Sequence, residues 1–124
     1  MSDPLESLAR QLEASPDYRV LRRFVPPSRY HEGDGSPTAT GVVVDVETTG
    51  LDPARDKIIE FCGVPFEFER ESGRILAVRE AVSYLEDPGR PIPAEVTKLT
   101  GITDTMVAGK RIDEAAVGTL LAET

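Results

Sequence analysis

Along the chain the spacing of apolar positions changes period, and each change marks an element. Near the start, Leu5, Leu8 and Leu12 recur at helical spacing behind "SDP", a capping residue followed by proline. "SPDYRVLRRF" repeats that logic, with Ser15 as cap, Pro16 in the first turn, and Val20, Leu21 and Phe24 along one side. Residues 2–24 are therefore expected to form two helices. "PPSRYHEGDGSPTAT" follows and reads as a flexible linker. At Gly41 the pattern shortens: "GVVVDVE" is a run of β-formers apolar on both faces, as in a strand covered on both sides. "TTGLDPARD" is turn chemistry. "KIIEFCGVPFEFE" predicts a second strand, in which Pro65 asks for a bulge or an edge position. "RESGR" is a hairpin turn and "ILAVREAVSYL" a third strand, so the three make an antiparallel meander. "EDPGRPIPAEV" is a Pro-rich link into a short helix at residues 94–99, stopped by Gly101. Asp113 caps a last helix carrying Ala116, Val117, Leu120 and Leu121. The pattern predicts an α/β chain of order β-β-β-α-α. Residues 1–40 are its N-terminal helical extension and linker, and residues 41–124 its main body.

Composition narrows the class. With 124 residues there is room for one domain, and 40% hydrophobic with 29% charged residues is ordinary for a water-soluble chain. No apolar run approaches the roughly 20 residues a membrane span needs, and "MSDPLESLAR" has neither a basic start nor an apolar core. A cytoplasmic location is expected. The single cysteine, Cys62, lies in an apolar run and is expected to be a core thiol; alone it allows no internal disulfide and no cysteine-rich zinc site. A net charge of −8 argues against broad, salt-driven affinity for nucleic acid. It leaves open an enzyme that grips a strand end through metal ions and a few local contacts. Residues 1–36 hold five basic and six acidic side chains, so Arg19, Arg22, Arg23 and Arg29 read as parts of a packing appendage rather than a basic patch. His31, the only histidine, is expected in a solvated loop.

The candidate chemistry sits where the valine run ends. Side chains alternate across a strand, so Asp45 and Glu47 point to the same face, with Cα atoms about 6–7 Å apart. Two anions this close repel, which would otherwise raise one pKa of the pair. A hard divalent cation with oxygen ligands, Mg²⁺ or Mn²⁺, relieves this directly. Two such ions about 3.5–4 Å apart clamp the attacking and leaving oxygens of a phosphoryl transfer. "TTG" then offers hydroxyls and backbone N–H groups, and Gly50 lets a substrate approach closely. The plainer alternative is that Asp45 and Glu47 begin a solvated loop in which Thr48 and Asp52 make turn hydrogen bonds.

The longer pattern carries a resemblance. "VVVDVETTGLDPARDKIIEFCGV" is similar to the first motif of the DnaQ-like family of 3′–5′ exonucleases, named for its Asp-Glu-Asp-Asp-His active site. Proofreading subunits of bacterial replicative polymerases belong to that family. "DPGRPIPAEVTKLTGITDTMV" also resembles it, and the likeness covers residues 41 to about 120. The resemblance implies a ribonuclease H-like fold, a five-stranded mixed sheet flanked by helices. It implies that Asp45 ligates both catalytic ions and Glu47 one. Thr48 would hold the 3′-hydroxyl end of the terminal nucleotide and Leu51 would pack on its base, while Gly101 and Ile102 line the same pocket. Glu60, on the neighbouring strand, is expected to be structural. The implied reaction is metal-assisted hydrolysis of the terminal phosphodiester at a single-stranded DNA or RNA 3′ end, with a DNA polymerase subunit as partner.

Two further aspartates and a histidine complete the family's site, and no matching motif follows Glu47 in this sequence. The chain is therefore expected to be a truncated exonuclease domain, lacking the fourth and fifth strands, incomplete in catalysis and bare along the outer edge of its first strand. A catalytically inactive module of the same fold, binding nucleic acid or a polymerase, is the alternative function. A haloacid-dehalogenase-type phosphatase, with two aspartates at this spacing, fits less well. Its second position is Glu47 here, and a meander follows instead of alternating helices.

Overall fold

The computed structural model describes residues 3–124, so the expected helix start at residue 2 lies outside the described residues. Helix α1 (Pro4–Glu13) begins as the sequence predicts, with the Asp3 carboxylate accepting from the Leu5 N–H and proline in the first turn. The second arm helix does not form. After a turn at residues 14–17 the chain is irregular, and Arg22 folds it back along α1 through ion pairs to Glu6 and Glu13. Those pairs engage the arginine with the chain in a non-helical path. Pro26 and Pro27 follow too closely for a helix to continue.

The linker is also less free than its composition suggests. The Tyr30 N–H donates to the Leu76 carbonyl at 2.8 Å, and the Val78 N–H donates to the Ser28 carbonyl at 2.8 Å. Arg29 pairs antiparallel with Ala77. Residues 28–31 thus lie along the sheet as a short extra rung.

The sheet is built from β1 (Thr38–Thr48), β2 (Ile58–Glu69), β3 (Ile75–Val78) and β4 (Val82–Leu85). β1 starts three residues before Gly41 and pairs antiparallel with β2 from Thr38↔Glu69 to Glu47↔Glu60. β3 and β4 both pair antiparallel with β2 and are the two halves of the single predicted third strand. Pro65 explains the break. It lies inside β2, and its carbonyl accepts from the Arg79 N–H at 2.8 Å, which places its missing donor on the same side. A strand residue points both backbone groups to one neighbour, so the ladder loses a bond there and the third strand parts between Val78 and Val82.

Behind the sheet come α2 (Ala94–Thr100), α3 (Asp104–Val107) and α4 (Glu114–Ala122). α2 ends at Gly101 in the left-handed conformation, φ 78°, which a glycine adopts without penalty. The one-turn α3, capped by the Thr103 hydroxyl, was not expected from the pattern. Asp113 caps α4 as predicted, its carboxylate accepting from the Ala116 N–H at 2.9 Å. The core gathers Ile59, Ile92, Ile102 and Val107, with Leu85 and Val96 against it. Each such side chain contributes about 1.5–3 kcal/mol on burial. The loops around it are held by carboxylates: Asp87 accepts from the Gly109 and Gly89 N–H groups, and Asp104 from that of Ile92.

The helices cover one face only. Along β2, Ile59, Phe61, Gly63 and Pro65 are buried, while Glu60, Cys62, Val64 and Phe66 between them are half-buried. A Cβ on Gly63 would come within 2.7 Å of the Leu120 side chain, so α4 lies against the buried face. β1 is not covered on both sides, contrary to expectation. Val43 on one face is 61% exposed, and Val44 and Val46 on the other are also exposed; β1 has one strand neighbour among the described residues. The mixed α/β architecture with an antiparallel meander is as the sequence predicts.

Candidate active site

Register places the carboxylates. In an antiparallel pair, residues directly opposite project from the same face. Asp45 lies opposite Cys62 and Glu47 opposite Glu60, so Asp45, Glu47, Glu60 and Cys62 share the face away from α4. Asp45 is exposed and Glu47 half-buried. The desolvation that the buried look of "VVVDVE" implied is therefore mild, and Cys62 is half-buried rather than in the core. Neither Asp45 nor Glu47 makes an ion pair among the described residues. Two glutamates facing each other across strands repel. An all-oxygen, uncompensated donor set of this kind suits a hard divalent cation, so the residues present fit Mg²⁺ or Mn²⁺ as part of a site. Among the described residues no group of three or more His, Cys, Asp or Glu is arranged to hold an ion.

The strand ends in a bulge between Glu47 and Thr48, and the turn beyond it is tightly bonded. The Thr48 hydroxyl donates to the Gly50 carbonyl at 2.6 Å. Thr49 is buried at 3% exposure; its hydroxyl donates to Asp56 Oδ1 at 3.1 Å and accepts from the Lys57 N–H at 3.0 Å. Asp56 Oδ2 accepts from the Asp52 N–H at 2.9 Å. That backbone bond holds the Asp56 carboxyl below the usual range, aided by the Thr49 hydroxyl and the Arg90 and Arg55 charges and opposed by partial burial. Arg90 closes the set, with Nη2 donating to Thr49 Oγ1 at 3.0 Å, the Arg55 carbonyl at 2.6 Å and Asp56 Oδ1 at 3.1 Å. Gly50 packs against Asp56 so closely that any Cβ there would collide with its carboxylate.

Three of the predicted substrate residues come together: Thr48, Gly50 and Leu51 line one cavity of about 410 Å³ with Asp52, Pro53, Asp56 and Ile58. Leu51 is fully exposed. Gly101 and Ile102 do not line it. Gly101 is exposed at the end of α2, and Ile102 is 4% exposed in the core. A larger cavity of about 720 Å³, with Val46, Phe61, Ile112 and Val117 among its lining, includes none of the predicted site residues. Sequence reasoning missed Thr49, Asp56 and Arg90. "DPARD" carried a weak turn signal for Asp56, but nothing local to Arg90 pointed 41 residues back to Thr49.

Residues 42–121 match the exonuclease family (RNase_T), which is more than half of the chain, and the chain belongs to that family. The DnaQ-like membership read from "VVVDVETTGLDP" is borne out. Among individual proteins, the DNA polymerase III PolC-type of Listeria welshimeri is 47% identical over 75 residues, covering 60% of this chain and 5% of that protein. The DNA polymerase III subunit epsilon-like protein of Rhodobacter capsulatus is 41% identical over 91 residues, covering 66% of this chain and 12% of that protein. The chain thus spans a small part of the length of these curated relatives. A crystal structure of exonuclease I in complex with inhibitor BCBP aligns with a TM-score of 0.48 at 24% identity, over 67% of this chain and 18% of that one.

Proposed function

We propose that this chain supplies the metal-binding strand end of a 3′–5′ exonuclease acting on single-stranded DNA or RNA. One observation carries the reading. Asp45 and Glu47 leave the same uncovered sheet face, free of ion pairs among the described residues, inside the segment that matches the exonuclease family. In this reading Asp45 holds two Mg²⁺ or Mn²⁺ ions and Glu47 one of them. When bound, the ions supply charge stabilisation for the attacking and leaving oxygens and an acidified water. Thr48 receives the 3′-hydroxyl end through its backbone and hydroxyl, Gly50 leaves room for it, and Leu51 packs on the terminal base. Gly101 and Ile102 stand outside this pocket, Gly101 exposed at the end of α2 and Ile102 in the core. The product is a nucleoside monophosphate. The names of the polymerase relatives support DNA as substrate and a DNA polymerase subunit as partner, and a cytoplasmic location goes with that reading.

A second reading has its own support. Asp45 and Glu47 are two ligands of a site that needs more, so in this reading the chain by itself is catalytically incomplete. It then serves as a binding module for nucleic acid or a polymerase unless further ligands join Asp45 and Glu47.

The test is release of mononucleotides from end-labelled single-stranded DNA and RNA with Mg²⁺ or Mn²⁺. It uses the full polypeptide that the reading frame encodes. Asp45→Ala and Glu47→Ala are each expected to lower kcat by about a hundredfold or more, the scale of a lost charge-stabilising group. Full activity in both variants overturns the ligand assignment. Binding of the strand without hydrolysis by the unaltered protein favours the module.

A further inference from the structure

Leu51 is 100% exposed, so no packing fixes its side chain and its position depends on the backbone of the turn alone. That backbone is held by two groups, Asp56 from the end of the same turn and Arg90 from far along the sequence. Asp56 ties down the start of the turn through the Asp52 N–H and the Thr49 hydroxyl. Arg90, from the Pro-rich link ahead of α2, reaches Thr49, Asp56 and the Arg55 carbonyl through one nitrogen. The Arg90–Asp56 ion pair at 3.1 Å is partly shielded, with Asp56 the more buried partner. Its hydrogen-bonded neighbour Thr49 is almost wholly buried and fully satisfied. No bond of this set touches the Asp45 or Glu47 side chain.

We propose that Arg90 is a positioning residue for substrate: with Asp56 and Thr49 it forms a latch that fixes the Thr48–Leu51 turn against the body. The latch presents Thr48 and Leu51 to the strand end without taking part in metal binding. This rests on the exonuclease reading of the site, which it refines by separating two duties within one motif. β1 carries the metal ligands, and the turn after it carries the grip on the nucleotide. Sequence distance is what makes the latch effective. A turn bonded only to itself can shift as a unit, whereas a contact from residue 90 pins it to the helical layer.

The test compares Arg90→Ala, Arg90→Lys and Thr49→Val with the unaltered protein, using the full polypeptide. Arg90→Ala is expected to raise KM for single-stranded DNA about tenfold with kcat changed less than about threefold, the signature of lost binding rather than lost chemistry. Amide hydrogen exchange at Gly50 and Leu51 is expected to accelerate about tenfold, while Mn²⁺ affinity stays within about twofold. Arg90→Lys keeps a charge and three donors and should recover most of the KM. Should Arg90→Ala fail to fold by circular dichroism, Thr49→Val, nearly identical in shape, carries the same predictions in smaller measure. Unchanged KM and unchanged exchange at Gly50 and Leu51 overturn the latch. A fall in Mn²⁺ affinity matching the rise in KM overturns it too, since Arg90 would then act through β1. If the unaltered protein hydrolyses nothing and its Mn²⁺ binding ignores Asp45→Asn, the exonuclease reading fails instead. The exchange data still decide whether Arg90 orders the turn.

Discussion

Gly50 shows how one missing Cβ supports a whole turn. The Asp56 carboxylate occupies the space a side chain would need, so Gly50→Ala must push that carboxylate away from Thr49 and the Asp52 N–H. The cost of such overpacking is about 1–3 kcal/mol, to be read from urea denaturation of the chain. Asp56 adds a dependence on acidity. Its folded pKa is depressed, so it stabilises the fold fully above its unfolded value of about 3.9, and the contribution is lost as pH falls through the lower folded value. Asp56→Asn should therefore flatten the fall of stability with pH in that acid window and leave the neutral slope unchanged. Asp45 and Glu47 were legible in the sequence because alternation along a strand needs only local information. Asp56 and Arg90 were not, because their partnership is made by the fold across 34 residues.

At the level of elements, short connections were legible and the arm was not. Hairpin chemistry in "RESGR" and the caps at Asp113 and Gly101 act within a few residues, and all three behave as the pattern predicts. Pro65 was recognised as a disturbance, but its effect falls on the neighbouring strand, which splits into β3 and β4. In the arm, "SPDYRVLRRF" has a helix-start signal that loses to Arg22 bonding with Glu6 and Glu13. Hydrogen bonds from Arg22 hold both glutamates below their ordinary range. The clasp is thus complete above the unfolded glutamate value, about pH 4.3, and is lost as pH falls through the depressed folded values. Exposed pairs also weaken with salt. A ten-residue helix is marginal alone. NMR shifts of residues 4–13 should move toward coil below pH 4 or in 1 M salt, while the Tyr30 and Val78 amides stay protected. Loss of protection at all of these sites together would mean that the arm comes away as one piece.

Across the whole molecule, the asymmetry of the sheet could not be read from composition. Both faces of "KIIEFCGVPFEFE" carry apolar residues, and only the approach of Leu120 to Gly63 shows which one α4 takes. Among the described residues β1 has one strand neighbour, and Val43, Val44 and Val46 on its two faces are exposed. An exposed apolar strand edge templates association with other chains, and a charge on it opposes that. Val44→Lys is expected to raise the concentration at which this chain begins to self-associate severalfold, measured by light scattering, with little change in melting temperature. An unchanged onset would place the sticky surface elsewhere. The net charge of −8 already favours solubility, so the contrast should be largest in high salt, where that repulsion is screened.

The rung at residues 28–31 has a mechanical consequence for what lies before it. Three backbone hydrogen bonds, from Tyr30, His31 and Val78, join this segment to β3. The N-terminal arm is therefore anchored to the sheet by a bracket near Arg29 rather than trailing from Thr38 on a loose string. A label or fused domain placed at Asp3 would sweep an arc centred on that bracket. Its reach is shorter by the ten or so residues between the bracket and β1 than contour length from Thr38 would allow. Distances measured from such a label to Asp45 should accordingly spread less than a tether from Thr38 allows, and they should broaden when the bracket is broken.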